Sequence, residues 1–301
     1  MSESRSACSA LWDDQQNPAW GTSATADLVV ALEQNGPWGR VAATESHLEP
    51  GLGSQLDSLV TDLGGRLLLI RRPGRHADGP ATDSPRRPGG RHRCYLARTG
   101  PDGWLVFAEL ADPGDLLSLT AADLTGPAAL AARLGGRIES GPLLLVCTNG
   151  RRDACCAVRG RPVVGRFADD ERVWEASHLG GHRFAPTGVL LPWGRMLARL
   201  DVDLVRAVLG AAQRGTLAEA VLGARHDRGP MHLPPAEQAA EAWTRSQEGR
   251  TDLTDPVTDA AGRATVTITD GPDLPESCGK APVATRSYHV SWRATDTGDH
   301  P

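Results

Sequence analysis

Thiols and imidazoles, side chains that bind soft and borderline metals, gather between residues 142 and 194 of the 301-residue sequence. One cysteine ends an apolar run at 143–146, and two adjacent cysteines follow a polar turn. Two histidines come later, separated by Leu-Gly-Gly. No other part of the sequence combines residue types with so clear a chemical meaning. The five residues are Cys147, Cys155, Cys156, His178 and His182.

The spacing of the two histidines would place them on one face of a helix, because residues four apart lie on the same face. Gly180 and Gly181 lie between them, however, and each glycine weakens a helix by about 1 kcal/mol. Glycines also permit positive φ angles and close approach of the backbone. We therefore predict a loop that wraps around a bulky object and carries His178 and His182.

Four interpretations of this group are open from the residues alone. One is a buried free thiol beside two ordinary histidines, although four such groups bracketed by loops rarely gather by accident. A zinc site of two cysteines and two histidines is the second, but Cys147 and Cys156 are further apart than is usual. The third is a thiol switch between Cys155 and Cys156. The fourth, which we favour, is a [2Fe-2S] cluster held by two cysteines and two histidines, the ligand set of Rieske centres.

The sequence around these residues resembles the sucrase/ferredoxin-like family, which belongs to the thioredoxin-like ferredoxins. The strongest resemblance lies in the runs CTNGRRDACCA at 147–157 and WEASHLGGHRFAP at 174–186. It also takes in Gly-Thr at 21–22, Gly-Pro-Trp-Gly at 36–39 and the stretch at 233–241. The resemblance spans most of the chain, and its specificity is high in the first two runs.

In related members of that family the cluster ligands follow the patterns C-x8-C and H-x3-H. The resemblance therefore implies that Cys147, Cys156, His178 and His182 hold a [2Fe-2S] cluster, with Cys155 as the neighbouring alternative for the second cysteine. It implies an iron-sulfur protein of electron transport with an unknown redox partner protein. Neutral imidazoles in place of thiolates raise the reduction potential, and their second ring nitrogens link reduction to protonation.

The alternative to an electron carrier is a binding or structural module whose zinc ion only holds the fold. A hydrolase has the least support, because the sequence shows no recognisable pair of carboxylates of the kind that glycoside hydrolysis requires. We therefore expect an electron carrier rather than a hydrolase. Four polar residues near the implied ligands are candidates for contacts with a cluster or a docking protein: Asn149, Arg151, Arg152 and Arg183.

Composition and charge exclude several classes of partner. A net charge of −5 and a pI of about 6.0 argue against general nucleic-acid binding. The N-terminus lacks the apolar core of a signal peptide, and no run approaches the ~18–20 apolar residues of a membrane span. We therefore expect a cytoplasmic protein without a membrane partner. Its six cysteines would stay reduced and serve metal or redox chemistry.

Helical and strand patterns together indicate an α/β (α+β) protein. We divide it into an N-terminal α/β region at 1–137, a thioredoxin-like ferredoxin domain at 138–225, and a C-terminal extension of one helix and a strand pair at 226–301. The thioredoxin-like assignment follows from the resemblance. Residues 71–93 are rich in Arg, Pro and Gly and almost free of apolar side chains, which predicts a mobile loop.

Hydrophobic periodicity predicts the individual elements. Helices are predicted at 25–34, 54–63, 203–213 and 234–247. Another helix is predicted to begin at Asp153, whose side chain is a suitable N-cap. Strands are predicted at 66–71, 93–98, 104–110, 143–147, 173–177, 188–191, 264–269 and 286–293, the last two as a pair.

Overall fold

The computed structural model describes residues 7–74, 91–257 and 260–293 of the chain. The helices in these ranges are α1 (Cys8–Asp14), α2 (Ala42–Glu45), α3 (Pro50–Asp62), α4 (Pro127–Arg133), α5 (Ala154–Gly165), α6 (Val202–Ala212), α7 (Pro235–Glu248) and α8 (Ala260–Arg263). Short 3-10 helices lie at Pro113–Ser118, Ala121–Thr125, His182–Phe184 and Glu219–Val221. The strands are β1 (Leu28–Glu33), β2 (Gly65–Arg71), β3 (His92–Arg98), β4 (Trp104–Leu110), β5 (Arg137–Glu139), β6 (Leu143–Cys147), β7 (Val173–Ala176), β8 (Gly188–Leu191), β9 (Arg195–Leu197), β10 (Asp227–Pro230), β11 (Ala264–Leu274) and β12 (Val283–Trp292).

Ten of the described strands form one mixed sheet, in the order β10-β9-β8-β6-β7-β2-β1-β3-β4-β5. β1 and β2 run parallel, as do β6 and β7, while the other neighbours in the sheet pair antiparallel. β11 and β12 form a separate antiparallel hairpin. Helices and a mixed sheet of this kind confirm the predicted fold class, an α+β protein that ends in a helix and a strand pair.

The main sheet consists of two halves with the same connectivity. β1, α3 and β2 form a parallel β-α-β unit, which is followed by antiparallel β3 and β4, helix α4 and edge strand β5. β6, α5, β7, β8, β9, α6 and β10 repeat this order in the second half. The equivalent strands β2 and β7 pair with each other, with Ile70 opposite Ala176 and Arg71 opposite Glu175. The halves therefore meet edge to edge at their β-α-β units.

The segment at 25–34, predicted to be a helix, instead contains strand β1. Its first five residues, from Leu28 to Leu32, are buried, and they alternate between two apolar layers on opposite faces of the sheet. A strand that is buried on both faces shows no alternation of apolar and polar residues, so its pattern resembles that of a buried helix. The helix prediction was wrong for this reason.

Most other predicted elements are confirmed. Helices α3, α5, α6 and α7 and strands β2, β3, β4, β6, β7 and β8 lie where the sequence patterns indicate, with ends that differ by a few residues. β11 and β12 pair as expected. Helix α1 and the short strands β5, β9 and β10 were not predicted, because segments of three to seven residues show too little periodicity.

Apolar layers cover both faces of the main sheet. On one face a single layer runs through both halves and includes Val29, Leu68, Leu145 and Met196. On the other face α3 and α4 cover the first half, whereas α5 and α6 cover the second. The cysteines of the 142–194 block belong to the layer that the two halves share. This layer therefore positions the candidate site.

The proposed domain boundaries after residues 137 and 225 stay predictions. Strand β10 lies beyond the second boundary, joins the main sheet and packs against α7. Of the predicted mobile loop at 71–93, residues 75–90 lie outside the described residues. Across the ranges that the structure describes, no helix is both long and apolar enough to cross a membrane.

Candidate metal centre

A short turn between β6 and α5 brings two thiols together. Cys147 is the last residue of β6 and is fully buried. As the sequence predicts, the Asp153 side chain caps α5, since it accepts a hydrogen bond from the Cys155 backbone N–H at 2.9 Å. Cys156 therefore lies in the first turn of α5, where its thiol forms a hydrogen bond with Cys147.

This hydrogen bond separates the acidities of the two thiols. It lowers the pKa of Cys147, although burial acts against the shift. The same hydrogen bond, together with burial, raises the pKa of Cys156 well above the ordinary value. The Cys147 Sγ also lies 3.9 Å from the Ser177 carbonyl oxygen. The pair is therefore suited to hold one thiolate next to one thiol, and both sulfurs are soft metal donors.

Two imidazoles lie beside the thiols. His178 follows β7, and His182 begins a short 3-10 helix. Their rings stack with centroids 5.0 Å apart, and the His182 Nδ1 lies 3.2 Å from the Cys156 Sγ. Within the described residues the buried Nδ1 of His178 has no hydrogen-bond partner. Burying a polar atom without a partner is costly, so such an atom is a candidate for binding a ligand.

Burial keeps both imidazoles neutral. It lowers the pKa of His178 to about 3, and the nearby His182 and Arg152 act in the same direction. Burial also lowers the pKa of His182, although the Asp153 carboxylate opposes this shift. Neutral imidazole is the form that binds metals, so neither ring needs to lose a proton near neutral pH before it can serve as a ligand.

A buried arginine fixes the loop that carries the histidines. Gly180 and Gly181 have φ angles of 76° and 71°, in the left-handed region that the glycine pair was predicted to allow. Arg228 donates hydrogen bonds of 3.1 Å to the Gly180 carbonyl oxygen and to the Thr22 hydroxyl. A Cβ on Gly181 would lie 2.6 Å from the Arg228 guanidinium carbon. The backbone can therefore pass so close to Arg228 only with glycine at this position.

Arg228 also places a positive charge near the buried thiols. Burial lowers its pKa to about 9, and Arg183 and Arg66 act in the same direction, whereas Cys147 and Cys156 oppose the shift. The opposing effect follows from attraction between a guanidinium and nearby thiolates. Sequence reasoning did not identify Arg228, because it lies far along the chain from the cysteines and no motif marks it.

An ion pair at the junction of the two halves supports the turn after β6. Arg71 on β2 and Glu175 on β7 form a buried ion pair of 2.6 Å. The Thr148 hydroxyl donates to the same carboxylate at 2.8 Å, and the Arg71 guanidinium lies 4.2 Å from the centroid of the Trp38 ring. The Gly-Pro-Trp-Gly run of the sequence resemblance therefore packs against the turn between the candidate thiols.

Three of the polar residues considered from sequence lie in that turn. Asn149 is buried and donates to the Gly39 carbonyl oxygen at 3.0 Å, so it anchors the turn to the first half. Arg152 is close enough to lower the pKa of His178. Arg151 is exposed. Of the three, Arg152 is therefore the residue whose charge acts on the imidazoles.

Arg183, the fourth polar candidate, lies next to His182 in the sequence but turns toward helix α1. Its guanidinium lies 4.8 Å from the centroid of the Trp12 ring and 5.0 Å from that of Phe184. It also forms an ion pair of 3.2 Å with Glu276 in the connection between β11 and β12. Its contacts therefore join α1 to the C-terminal hairpin next to the candidate site.

A second group of donors, which the sequence analysis did not predict, surrounds Cys155. The Cys155 Sγ lies 3.4 Å from the Cys8 Sγ and 3.0 Å from the Cys278 Sγ, and the last two are 3.6 Å apart. The Asp153 Oδ2 lies 4.0 Å from the Cys8 Sγ. These four donor atoms all lie within 4.8 Å of one another. We call Cys8, Asp153, Cys155 and Cys278 the three-thiol group.

Asp153 stands between the three-thiol group and the histidines. Its carboxylate forms another close set with Cys156 and His182, again with all donor atoms within 4.8 Å of one another. Hydrogen bonds to the thiolate, chiefly from Cys8, lower the pKa of Cys155 to about 5 against the effect of burial. The adjacent residues Cys155 and Cys156 therefore belong to two different groups of donors.

The sequence gives no signal that joins Cys8 and Cys278 to this region. They lie near opposite ends of the chain, and neither has a second cysteine or histidine at a spacing typical of metal binding. The only indication of a further thiol site is the number of cysteines, since the chain has six and a site with two cysteine ligands uses two. Only the folded chain brings these two thiols to the start of α5.

The fold and the site together define an α+β protein with Cys, Asp and His groups able to hold a metal at the end of a β-α-β unit. The model of the sucrase/ferredoxin-like family matches residues 21–222. The match covers more than half of the chain, and the chain belongs to this family, as the sequence resemblance indicated. The matched range includes all four implied cluster ligands and excludes Cys8 and Cys278. No curated protein and no solved structure matches the chain.

Proposed function

We propose that this protein is an electron-transfer protein that binds a [2Fe-2S] cluster through Cys147, Cys156, His178 and His182. The observation that carries the proposal is the convergence of four donor side chains at one mostly buried place. Cys156 contacts both Cys147 and His182, and the His182 ring stacks on that of His178. Two sulfur and two nitrogen donors are the ligand set of Rieske-type clusters.

The residues fit such a group on two further counts. The buried Nδ1 of His178 lacks a hydrogen-bond partner within the described residues, and coordination would satisfy it. The pKa of Cys147 is lowered by its hydrogen bond with Cys156, so the thiolate that a metal requires forms readily. Both properties support ligation at positions that the family resemblance implies.

The spread of the donors favours a cluster over a single zinc ion. Ligands of one zinc ion lie within about 4 Å of one another, because each is about 2.0–2.3 Å from the metal. In the described part of the chain, no close set of donors combines three of the four proposed ligands, and the set with Cys156 and His182 takes Asp153 as its third member. Donors divided between two irons can lie further apart.

When bound, such a cluster supplies the reversible transfer of one electron. The surrounding residues would set how readily that electron is accepted. Arg228 is buried near the thiol pair, and Arg66 and Arg183 lie close enough to lower its pKa. Because an added electron makes the site more negative, these cations favour the reduced form and raise the potential. Neutral imidazole ligands act in the same direction.

We further propose that electron uptake is linked to proton uptake. An imidazole that binds a metal through one nitrogen keeps a second nitrogen that can hold or release a proton. His178 is only partly buried, so its ring can exchange protons with water. The potential should therefore fall as pH rises through the pKa of a histidine ligand. A potential that stays constant from mildly acidic to strongly alkaline pH would contradict this part of the proposal.

An electron carrier requires a redox partner protein, and we propose that the partner approaches the turn between β6 and α5. Arg151 is exposed there and could meet an acidic surface. We propose a cytoplasmic setting, where thiol ligands stay reduced before the cluster is inserted. Nucleic acids and membranes are not proposed as partners, in keeping with the net charge of −5.

A zinc-stabilised binding or structural module is the second candidate. It is favoured by the close set of Asp153, Cys156 and His182, whose donor atoms lie within 4.8 Å of one another. A zinc ion on these residues would stabilise the turn and the histidine loop without accepting electrons. This candidate leaves Cys147 and His178 without a role, which is why we place it second.

Spectroscopy of anaerobically purified protein separates the two candidates. We expect a red-brown protein with visible absorption bands, iron and acid-labile sulfide in equal amounts, and an EPR signal after reduction. Zinc has no such bands and no redox chemistry. A colourless protein that carries zinc on Asp153, Cys156 and His182 would contradict the electron-transfer proposal.

A pair of serine variants tests which adjacent cysteine is the ligand. Cys156→Ser should lose most of the visible absorption, because its thiol contacts both Cys147 and His182. Cys155→Ser should keep the absorption nearly unchanged, because its thiol faces Cys8 and Cys278 instead. The reverse result would move the ligand by one position and reject our assignment.

A further inference from the structure

The three-thiol group has the dimensions of a tetrahedral metal site. Its three Sγ–Sγ distances are 3.0, 3.4 and 3.6 Å, and the Asp153 Oδ2 lies 4.0 Å from the Cys8 Sγ. Around one zinc ion, donor atoms lie about 3.6–3.8 Å apart, because Zn–S bonds measure about 2.3 Å. A disulfide would need about 2.05 Å, and the three cysteines are free thiols in this structure.

Three separate segments of the chain supply these donors. Cys8 begins α1, Cys155 lies in the first turn of α5, and Cys278 lies between β11 and β12. Contacts that involve no cysteine hold the same segments together. Trp12 of α1 donates to the carbonyl oxygen of Pro275 at 3.0 Å. The convergence of the thiols therefore does not rest on contacts between the thiols alone.

The carboxylate of this group is already oriented by its neighbours. The Asp153 Oδ1 accepts the Cys155 backbone N–H at 2.9 Å. Its Oδ2 accepts the Ser277 hydroxyl at 2.7 Å and the Cys278 backbone N–H at 2.8 Å. Carboxylates that bind metals are typically fixed by hydrogen bonds in this way. These hydrogen bonds hold the carboxylate next to the backbone of both Cys155 and Cys278.

We propose that Cys8, Asp153, Cys155 and Cys278 bind one structural zinc ion, separate from the proposed cluster ligands. Three thiolates and one carboxylate are donors that zinc accepts in a closed tetrahedral site. Binding releases the protons that the thiols still hold, so that the ion replaces S–H groups crowded against one another. This proposal does not depend on the proposed function, because it shares no ligand with the cluster.

The proposed zinc ion would fasten both ends of the chain to the candidate site. Its ligands from α1 and from the β11–β12 connection lie outside the range that the family model matches, 21–222. The ion would hold these segments against the first turn of α5, next to Cys156. We therefore infer that the terminal segments cover and stabilise the end of α5 that carries Cys156.

Metal analysis of matched alanine variants tests the zinc site. The full chain, purified from cells grown with added zinc, should contain one zinc ion per chain in addition to any iron. Cys8→Ala and Cys278→Ala should each lose the zinc and keep the visible absorption. Cys94→Ala is the control, since Cys94 is fully buried like Cys8 but lies in β3, and it should keep both metals.

The outcomes distinguish failure of the zinc site from failure of the cluster. Zinc without iron in the full chain rejects the proposed function and leaves the zinc site standing, provided that Cys8→Ala removes the zinc. Iron without zinc, or zinc that persists in both Cys8→Ala and Cys278→Ala, rejects the zinc site. A disulfide between Cys155 and Cys278, detected by mass spectrometry of the unreduced full chain, also rejects it.

A second measurement covers the case in which the variants fold poorly. X-ray absorption at the zinc edge of the full chain should show three sulfur neighbours and one oxygen neighbour. Two sulfur and two nitrogen neighbours would instead place the zinc on the histidine site and overturn the proposal. Cobalt exchanged into the full chain should give the strong sulfur-to-metal charge-transfer bands of a tetrahedral thiolate site. The absence of these bands would also overturn the proposal.

Discussion

The two halves of the main sheet have the same connectivity, yet the implied cluster ligands all lie in the second. In both halves a parallel β-α-β unit is followed by two antiparallel strands, a helix and an edge strand. The first half contains one cysteine, Cys94, which is buried inside β3 and has its pKa raised to about 12 by burial. The second half contains Cys147 at the end of a strand, where the following turn brings other side chains close to its thiol. Position relative to a strand end, more than residue type, separates an inert thiol from a proposed ligand.

The connection between strand and helix is where the halves differ most. Residues 34–49 separate β1 from α3 and include helix α2, whereas only residues 148–153 separate β6 from α5. The short turn keeps the start of α5 close to the end of β6, so that Cys147 and Cys156 form a hydrogen bond. The longer connection supplies Trp38, which stacks on Arg71 at the junction. The same scaffold therefore supports packing in one half and candidate chemistry in the other.

The largest expected effect is the loss of the proposed cofactor when Cys147 of the second half is replaced, but not when Cys94 of the first half is replaced. Cys147→Ser should lose nearly all iron and sulfide, because a hydroxyl is a poor substitute for a thiolate ligand. Cys94→Ser makes the same chemical change at an equally buried position in the first half. It should keep the visible spectrum, even if the buried hydroxyl lowers stability. Equal loss of colour in the two variants would mean that stability, and not ligation, explains the result.

The second prediction concerns the ion pair that joins the halves. Glu175→Ala leaves Arg71 buried without its carboxylate and removes the acceptor of the Thr148 hydroxyl. Loss of one partner from a buried pair costs about 3–5 kcal/mol, so the free energy of unfolding should fall by that order. Urea denaturation followed by tryptophan fluorescence measures the change.

An exposed ion pair provides the matched control for Glu175→Ala. Arg206 and Asp203 form a pair of 2.8 Å on the surface of α6. Arg206→Ala should change the free energy of unfolding by less than about 1 kcal/mol, because exposed pairs contribute little. If the two variants lose equal stability, the junction between the halves does not depend on the buried pair.

A smaller effect is expected at the glycine pair of the histidine loop. Valine at Gly180 or Gly181 adopts a left-handed conformation at a cost of about 1–2 kcal/mol. At Gly181 the added Cβ also meets the Arg228 guanidinium at 2.6 Å, whereas at Gly180 it meets nothing within 4 Å. Gly181→Val should therefore lose part of its iron, and Gly180→Val should lose less. Full iron content in Gly181→Val would show that the close approach to Arg228 has no part in holding the ligands.

Local signals allowed much of the candidate site to be predicted from the sequence. The apolar run before Cys147 indicated a buried strand, Asp153 was recognised as an N-cap, and the Gly180-Gly181 pair indicated a loop with positive φ. Each of these signals depends on neighbours within a few residues. For that reason the structure reproduces them, while the role of the four residues as ligands stays a proposal.

Features that depend on distant residues could not be predicted in the same way. The burial of β1 on both faces erased the alternation that identifies a strand, so a helix was predicted there. Arg228 reaches the histidine loop from β10, and Cys8 and Cys278 reach Cys155 from the two ends of the chain. These contacts arise from sheet order and from the packing of terminal segments. The spacing of residues along the sequence therefore does not predict them.

The smallest expected effect is a pH dependence of the free energy of unfolding of the metal-free protein. Its source is His178, in the second half. Burial lowers the pKa of His178 from 6.5 to about 3. As pH falls below the unfolded value, the unfolded chain binds a proton that the folded chain does not, so the free energy of unfolding decreases. Linkage limits this loss to below about 1 kcal/mol between about pH 7 and pH 6. Urea titrations of chelator-treated protein should detect this loss.

His178→Asn should reduce the loss, whereas His47→Asn, at an exposed position in the first half, should leave it unchanged. An unaltered pH response in His178→Asn would show that the His178 imidazole does not set the acid sensitivity of the site.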